Sequence, residues 1–356
     1  MYFGAEVAGN MHLWRQKFPD GAPQQITFGS TQEEGVAPAP DGRSLITSVG
    51  MRHSAIWMHD AAGDRAISSE GYASAPRLSR DGTHVFYLLE RGPVVPSSGT
   101  SGELRWVDLA SGKTDSLLPG VSVIDYDISS DGRDVAYTAS DSSGESQIWL
   151  AALDRRSPAR QIARSADQVS FGASGELVFR LKEEKTNFLY RINKDGTGRE
   201  QITATPSLVK LGVSPDGEWV GAVVALAPDE SSEALDVPFE TVAVPVHGGA
   251  VKRLCGRWCS ASWSSDGRFF YVVLNESTVN VVNTPALSGI TFAIPVPAGK
   301  MLPDLPAGGL RSPLEAAPPP GTKVISEGVV SPGLDPSTYA FQRTELRGNL
   351  FRIPLH

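Results

Sequence analysis

An Asp-Gly pair, usually preceded by serine or proline, recurs through the chain at a nearly constant interval. Seven stretches carry the pattern, about 40 to 50 residues apart until the last: APDG at Ala39, SRDG at Ser79, SSDG at Ser129, the degenerate GASG at Gly172, SPDG at Ser214, SSDG at Ser264 and the stretched SPGLDPS at Ser331. In SPDG, Asp216 can accept a hydrogen bond from the backbone N–H two residues on, and Gly217 can adopt the positive φ that closes a hairpin. A catalytic loop is seldom needed seven times, so the repetition indicates a turn.

Each turn is followed by a short β-rich run and then by a second run with an aromatic or branched residue near its start. Eight second runs are present: LWRQKF from Leu13, IWMHD from Ile56, RWVDL from Arg105, IWLAAL from Ile148, LYRINK from Leu189, TVAVPV from Thr241, TFAIPV from Thr291 and LFRIPL from Leu350. A unit therefore has strand a before the turn, b after it, c at the aromatic run and d at the end. One such sheet cannot bury both its faces, so the period predicts an all-β fold, a β-propeller of four-stranded antiparallel blades.

The repeats also predict the size of the ring. Six units are complete and begin near these positions: Val36, Tyr72, Val121, Asp167, Ser207 and Trp258. The first stretch of the chain supplies only strands b, c and d, and the last only a, b and c. This gives eight repeat units, or seven blades if the two ends share one. We expect residues 1–356 to form a single propeller domain, and the missing first strand predicts that it is the C-terminal part of a longer protein.

Composition limits the partners. The chain has 36 glycines, 26 prolines and 40% hydrophobic residues, as expected for many strands and turns. The net charge of −8 disfavours nucleic acid and anionic membranes, because the average field repels both. No apolar run approaches the roughly 18 residues of a membrane-spanning helix, so no membrane insertion by this chain is expected.

The SPDG…IW units resemble TolB-like propeller repeats over essentially the whole chain. The opening MYFGAEVAGNMHLWRQKFPDG and the ending DPSTYAFQRTELRGNLFRIPL look like the C-terminal propeller of bacterial membrane-anchored serine/threonine kinases and related winged-helix regulators. That resemblance implies a sensory or protein-binding module, in a periplasmic or extracytoplasmic location if the kinase likeness holds. The kinase Gly-rich loop, His-Arg-Asp and Asp-Phe-Gly motifs are missing, so no kinase activity is implied.

Strand parity predicts where a ligand would bind. The a–b and c–d turns lie on one face of the disc, and the b–c and d–a connections lie on the other. Most insertions are assigned to the second, loop-rich face, including those at Arg91 and Lys182 and a Pro-rich segment from Pro303 that either caps the ring or is a surface linker. The candidate ligand-binding residues on this face are Arg52, His53, Glu90, Arg91, Glu183, Glu184 and Lys185.

The sequence gives little support for a catalytic, metal-binding or sugar-binding site. No Gly-x-Ser-x-Gly elbow is present, and the six histidines show no His-x-His or His-x-x-x-His spacing, so no cofactor or metal is predicted. Cys255 and Cys259 form either a disulfide or two buried thiols. The aromatic residue of each c run is expected in the packing between blades rather than in a sugar-stacking platform, and these residues are Trp14, Trp57, Trp106, Trp149, Tyr190, Phe292 and Phe351.

The sequence therefore predicts a non-enzymatic ligand- or protein-binding module, a sensor or scaffold of a bacterial signalling protein. Its partner would be a protein or a small polar ligand. The alternative is a propeller hydrolase or lyase with its site on the loop-rich face, which would bring several His, Asp or Glu side chains together at the channel mouth.

Overall fold

The computed structural model describes residues 1–7, 10–29, 31–90, 101–225, 239–274, 290–310 and 319–354. The regular structure in these ranges is β-strand, and none of it is a helix that could cross a membrane. In chain order the strands are β1 Tyr2–Val7, β2 Asn10–Arg15, β3 Gln24–Gln25, β4 Gln32–Pro38, β5 Ser44–Asp60, β6 Gly63–Ala66, β7 Tyr72–Leu78, β8 His84–Glu90, β9 Glu103–Asp108, β10 Thr114–Ser116, β11 Asp125–Ile128, β12 Asp134–Ser140, β13 Ser146–Ala152, β14 Arg160–Arg164, β15 Ala166–Phe171, β16 Leu177–Glu183, β17 Thr186–Ile192, β18 Glu200–Gln201, β19 Ser207–Val213, β20 Trp219–Ala225, β21 Phe239–Pro245, β22 Lys252–Cys255, β23 Cys259–Trp263, β24 Phe269–Leu274, β25 Thr291–Pro295, β26 Lys323–Ile325, β27 Val330–Pro332 and β28 Tyr339–Pro354.

Five blades are four-stranded antiparallel units of consecutive strands. Blade 1 is β7–β10, blade 2 is β11–β14, blade 3 is β15–β18, blade 4 is β19–β22 and blade 5 is β23–β26. Their first strands start within a few residues of the positions that the repeat predicts. The all-β propeller of four-stranded blades is thus confirmed.

A sixth blade, the closing blade, combines two distant parts of the chain. Its strands in order are β27, residues 339–346 of β28, residues 52–60 of β5, and β6. The first two come from the end of the chain and the last two from near its beginning. A blade built from both parts of the chain closes the ring of blades on itself.

The described residues therefore form six blades, which corrects the count of eight units and the alternative of seven blades. The ends do share a blade, but β1, β2 and β3 take no part in it and form a separate three-stranded sheet. The unit that begins near Val36 is not a blade either, because its strands c and d complete the closing blade instead.

The physical reason is that two b–c connections stay extended. The runs SLITSV and IWMHD were expected to form a hairpin, yet they make one continuous strand, β5, of 17 residues. β28 does the same, and all 16 of its residues pair with β5, from Tyr339 opposite His59 to Pro354 opposite Ser44. Gly50 and Gly348 lie opposite each other in this ladder, which satisfies the backbone groups that a loop would have left to solvent.

The strands that lie outside the ring are β1–β4 and the outer parts of the long pair, residues 44–51 and 347–354; we call them the appended strands. A buried polar network joins β2 to β4. His12 Nδ1 lies 2.9 Å from Glu33 Oε2, and both residues are 3% exposed. The Thr27 and Thr31 hydroxyls donate to the same carboxylate at 2.8 and 3.0 Å, so the buried charge has the hydrogen bonds that it requires.

Six apolar clusters fill the six junctions between neighbouring blades. β8 shows how one strand serves two junctions: Val85, Tyr87 and Leu89 face the closing blade, while Phe86 and Leu88 face blade 2. Both faces of the strand are buried, so its sequence is continuously apolar rather than alternating. The ring is held together at these junctions, since burying one such side chain contributes roughly 1.5–3 kcal/mol.

The Pro-rich insertion lies elsewhere than expected. Because β25 pairs with β26, residues 296–322 form a c–d connection, and the assignment of the segment from Pro303 to the b–c and d–a side was wrong. Its described first part, residues 296–310, packs against the junction of blades 4 and 5 through Leu302, Leu305 and Leu310. Leu310 also exchanges backbone hydrogen bonds with Leu254 and Gly256. This part, the strap, is packed protein rather than a linker, whereas residues 311–318 lie outside the described residues.

Candidate functional site

The six a strands surround a central cavity of about 890 Å³ that extends to the a–b turns. Counted back from the turns, the second residue of each a strand lines the cavity at one level, which we call the floor. The floor residues are Arg77, Asp127, Ser170, Gly212, Ser262 and Ser331. All of these residues except Gly212 are polar or charged, although strand a is the innermost strand of every blade.

Arg77 is the cation of the floor. Its guanidinium NH1 lies 3.5 Å from Asp127 Oδ1, and its NH2 lies 3.6 Å from Asp125 Oδ1. These distances exceed those of charge-assisted hydrogen bonds, which are about 2.7–2.9 Å. The guanidinium also lies 5.5 Å from the centre of the Tyr126 ring. Protein surrounds Arg77 closely, yet 40% of its side-chain surface is exposed, because that surface faces the cavity.

Lys210 lies one level below the floor and is 6% exposed. Its Nζ donates to Ser170 Oγ at 2.7 Å and to the Leu211 carbonyl at 2.8 Å. Burial lowers the pKa of this ammonium to about 8, although Asp125 and Asp127 oppose the shift. Burial likewise raises the pKa of Asp125. The arginine, the lysine and the two carboxylates thus form a compact group without net formal charge.

Bulged strands hold this group in place. β7 and β15 each carry a register shift, and the residues Ala75 and Gln168 at these points have positive φ angles of 51° and 53°. Both are supported by a neighbouring blade: the Tyr126 hydroxyl donates to the Ala75 carbonyl at 2.7 Å, and Gln168 Oε1 accepts from the Lys210 N–H at 2.6 Å. Strained backbone of this kind persists only where its surroundings fix it.

The a–b turns form the mouth of the cavity and behave as predicted. Gly82, Gly132, Gly217 and Gly267 all have positive φ, between 68° and 76°. In SRDG, Asp81 Oδ1 accepts from the Ser79 hydroxyl and from the Thr83 backbone N–H. The Ser79 and Thr83 hydrogen bonds lower the pKa of Asp81 to about 2, so its carboxylate is committed to the turn.

The residues predicted from the loop-rich face are spread over three blades. Glu183 ends β16, where it accepts from the Tyr190 hydroxyl, and the exposed Glu184 and Lys185 follow it in the turn to β17 of blade 3. Glu90 ends β8 in blade 1. Arg52 and the exposed His53 lie in the closing blade, opposite Leu346 and Glu345, and Arg91 lies outside the described residues. Glu183, Glu184 and Lys185 share one turn of blade 3, and the ligand-binding role of the whole set stays a prediction.

Glu90 is the unusual member of that set. Its Oε2 is buried and has no hydrogen-bond partner in the described part of the chain. Burial raises the pKa of this carboxyl to about 7. By strand parity its side chain points to the same side as Phe86 and Leu88, into the junction with blade 2.

Two further groups of predicted residues can be placed. Cys255 and Cys259 are joined by a disulfide. Trp57, Trp106, Trp149, Tyr190 and Phe292 pack at blade junctions, as expected for core aromatic residues. Trp14 and Phe351 differ, because β2 and the outer half of β28 belong to the appended strands, and the expected position between blades was wrong for both. Phe351 is 49% exposed.

The floor was missed by the sequence analysis. Alignment of the repeats on the Asp-Gly turn places Arg77 and Asp127 two residues before its first residue, and Asp125 and Lys210 four residues before it. Charged residues at two adjacent levels of an inner strand are unusual, because a core strand is normally apolar. That pattern is the signal that could have located the site.

The comparisons with known proteins concern the fold. No protein-family model matches the chain, and no curated protein matches its sequence. A TolB-like protein from Agrobacterium tumefaciens is similar in structure, with a TM-score of 0.58, 16% identity, and coverage of 83% of this chain and 99% of that one. TolB from Acinetobacter baumannii has a TM-score of 0.49 at 13% identity, covering 83% and 76% of the two chains. An oligogalacturonate lyase in complex with manganese has a TM-score of 0.42 at 14% identity, covering 84% and 86%.

The first of these likenesses confirms the expected resemblance at the level of architecture: the chain folds as a TolB-like β-propeller. The likeness to the propellers of membrane-anchored kinases stays a prediction.

Proposed function

We propose that this protein is a non-enzymatic binding module that takes a small polar ligand, or a segment of a partner protein, into the central cavity from the side of the a–b turns. The supporting observation is the floor itself, where Arg77 faces an 890 Å³ cavity while making only long contacts with Asp125 and Asp127. A concave site with a few convergent polar groups is the usual form of a ligand site.

The hydrogen bonds made by Asp127 and by the two turn carboxylates at the mouth support binding rather than catalysis at these three groups. Asp127 Oδ2 accepts from the Phe171 N–H at 2.9 Å, and Asp81 and Asp131 are held by their turns. The described residues contain no group of three or more His, Cys, Asp or Glu side chains that could hold a metal ion. A general base near neutral pH needs a carboxyl with a raised pKa, and at this mouth the pKa of Asp81 and that of Asp131 are lowered by their Ser79 and Ser129 hydrogen bonds.

The wider role that we propose is that of a sensor or scaffold in a bacterial signalling protein. It rests on the likeness of the opening and ending stretches of the sequence to the propellers of membrane-anchored kinases, and a periplasmic or extracytoplasmic location follows if that likeness holds. The acidic average charge favours a protein or a small polar ligand over nucleic acid.

The alternative function, a hydrolase or lyase on the loop-rich face, is favoured by one observation. Glu90 combines a buried, unpartnered carboxyl oxygen with a pKa of about 7, which is the condition of a general acid or base at neutral pH. A catalytic Glu90 would require a substrate site beside residues 91–100, which lie outside the described residues.

A variant that fills the floor tests the proposal. A Cβ added at Gly212 would lie 3.7–3.8 Å from its nearest neighbours in Trp263, Ala261 and Ser262, which is ordinary van der Waals contact. The backbone at this position therefore has room for a Cβ, and Gly212→Phe is designed to fill the cavity. Val251→Phe is the control, because Val251 is 49% exposed and lies outside the cavity.

Wild type and both variants are screened by ligand-observed NMR against a library of polar metabolites and short peptides. We expect ligands that bind wild type and Val251→Phe but not Gly212→Phe, each recovered unchanged. Ligands that bind Gly212→Phe equally well would refute the cavity as the site. Conversion of a bound ligand, abolished by Glu90→Gln, would establish the enzymatic alternative.

A further inference from the structure

We infer that the floor of the cavity recognises a single carboxylate group. This inference rests on the proposed function, since it names the chemistry of what the cavity takes. The carboxylate can belong to a small organic acid or to the C-terminus of a peptide, and the chemistry at the floor is the same for both.

The first reason is the hydrogen-bonding state of Arg77. A guanidinium has five N–H donors in a planar fork, and the fork fits both oxygens of a carboxylate at once. The guanidinium of Arg77 lies 3.5 Å from Asp127 and 3.6 Å from Asp125. The two carboxylates therefore balance its charge, but neither distance is that of a short hydrogen bond. The face of the side chain that is exposed to the cavity can therefore still donate.

The second reason is that the serine hydroxyls of the floor are set to donate as well. Ser170 Oγ already accepts a hydrogen bond from Lys210 Nζ at 2.7 Å, and Ser331 Oγ accepts one from the Leu78 N–H at 2.8 Å. A hydroxyl whose oxygen is engaged in this way keeps its own proton for another acceptor. Ser262 Oγ makes no hydrogen bond among the described residues, so its hydroxyl is also available. The floor thus offers one cation and three hydroxyl donors to an incoming acceptor group.

The third reason concerns the size of the charge. Asp127 lines the cavity at the same level as Arg77, and its carboxylate would repel a group with two negative charges, such as phosphate. A cationic ligand would have to compete with Arg77 for Asp127 and would leave the hydroxyl protons without an acceptor. A singly charged carboxylate uses the donors, pairs with the guanidinium of Arg77 and is repelled less than a dianion, and the neighbouring Lys210 offsets part of that repulsion.

NMR titration of the full chain tests the inference with four probes: propionate, the peptide acetyl-Ala-Gly-Gly with a free carboxylate, the same peptide as its C-terminal amide, and methyl phosphate. The backbone amide signals of Gly212 and Ser262 report on the floor. We expect these signals to move with propionate, with the free peptide acid, or with both. Propionate alone would identify a small organic acid as the natural source, and the peptide acid alone would identify a peptide C-terminus.

Two variants assign the effect to the floor. Arg77→Lys keeps the charge but loses the fork and should weaken carboxylate binding by about tenfold, the usual worth of a hydrogen bond to a charged group. Ser262→Ala removes a hydroxyl that no other described group uses, so folding should be unaffected and binding weakened by about threefold. Urea unfolding of each variant checks that the ring remains intact.

The inference is wrong if the amide or methyl phosphate binds as tightly as the free acid, if no carboxylate moves the floor signals, or if both variants bind like wild type. Its failure can be separated from that of the proposed function. A library ligand without a carboxylate that Gly212→Phe excludes would leave the cavity as a binding site and refute only the carboxylate.

Discussion

Arg343 and Asp64 are 279 residues apart in the sequence, and their side chains meet across the closing blade with a distance of 3.1 Å from NH2 to Oδ2. The same guanidinium reaches Glu327 at 3.1 Å and lies 4.3 Å from the centre of the Trp57 ring. His59 hydrogen-bonds the other oxygen of Asp64 and stacks on Tyr339. Polar contacts thus bind the two distant parts of the chain that share this blade.

Arg343→Ala should therefore weaken ring closure. We expect a loss of about 1–2 kcal/mol, because a cation above an aromatic ring and two partly exposed ion pairs each contribute modestly and are screened by salt. Urea unfolding followed by tryptophan fluorescence measures it. Arg156→Ala is the control, because Arg156 is 86% exposed and its ion pair in the described part of the chain is with Asp154 of its own turn. Equal stability of both variants would show that Arg343 does not hold the seam.

Lys210 should make stability depend on pH in alkaline solution. Its pKa is lowered from 10.5 to about 8 in the folded protein, so between these values the unfolded chain binds more protons. The contribution of Lys210 to stability therefore rises from pH 8 to pH 10.5, by about 3 kcal/mol at most. Arg77, Asp125, Asp127 and Asp167 are the charged groups that act on its ammonium.

Lys210→Met removes this titration, so the stability of wild type relative to the variant should increase from pH 8 to pH 10. Unfolding free energies at pH 7, 8.5 and 10 for both proteins measure the difference, in which the other titrating groups cancel. A constant difference across this range would contradict the lowered pKa.

Glu90 should make the stability of the folded protein decrease as the pH rises, which is the opposite of the effect of Lys210 and occurs at lower pH. Burial raises its pKa from 4.5 to about 7, so the folded protein binds more protons between these values, and stability falls as the pH rises through them. Glu90→Gln removes the fall, and the variant should be more stable than wild type at pH 8 by on the order of 1–2 kcal/mol, with a smaller difference at pH 4.5. Thermal unfolding at both pH values measures it. A difference that does not change with pH would show that Glu90 titrates normally.

The strap offers a test of close backbone packing. A Cβ at Gly309 would lie 2.9 Å from backbone atoms of Leu254 and Cys255, and its φ is +69°. Gly299 has a similar φ of +76° but nothing within 4 Å. We expect Gly299→Ala to cost about 1 kcal/mol for backbone strain, and Gly309→Ala about 2–4 kcal/mol because the strap must also move. Equal losses in urea unfolding would mean that the strap is not held against blade 4.

The local parts of this structure could be predicted from the sequence. The turn at Asp216 and Gly217 and the strand starts at Tyr72 and Ser207 follow from hydrogen bonds and torsion angles within a few residues. The pairing of β5 with β28 could not be predicted. The residues around Gly50 do not show that the strand continues without a turn, and nothing near β5 in the sequence identifies β28 as its partner.

The candidate site escaped prediction for a similar reason. Arg77, Asp125 and Lys210 come from three different blades, and their proximity depends on ring closure and on bulges in β7 and β15. Neither is visible in one sequence. Glu183, Glu184 and Lys185 lie together because they are consecutive, which required no knowledge of the fold.

The ladder between β5 and β28 has a mechanical consequence. Ser44 and Pro354 lie opposite each other at its outer end, so a force applied between these two residues would enter the ladder there. The hydrogen-bonded residue pairs would then open one after another from that end, and Tyr339 and His59 would separate last. The appended strands would yield first under such a load and would delay the tension from reaching the ring.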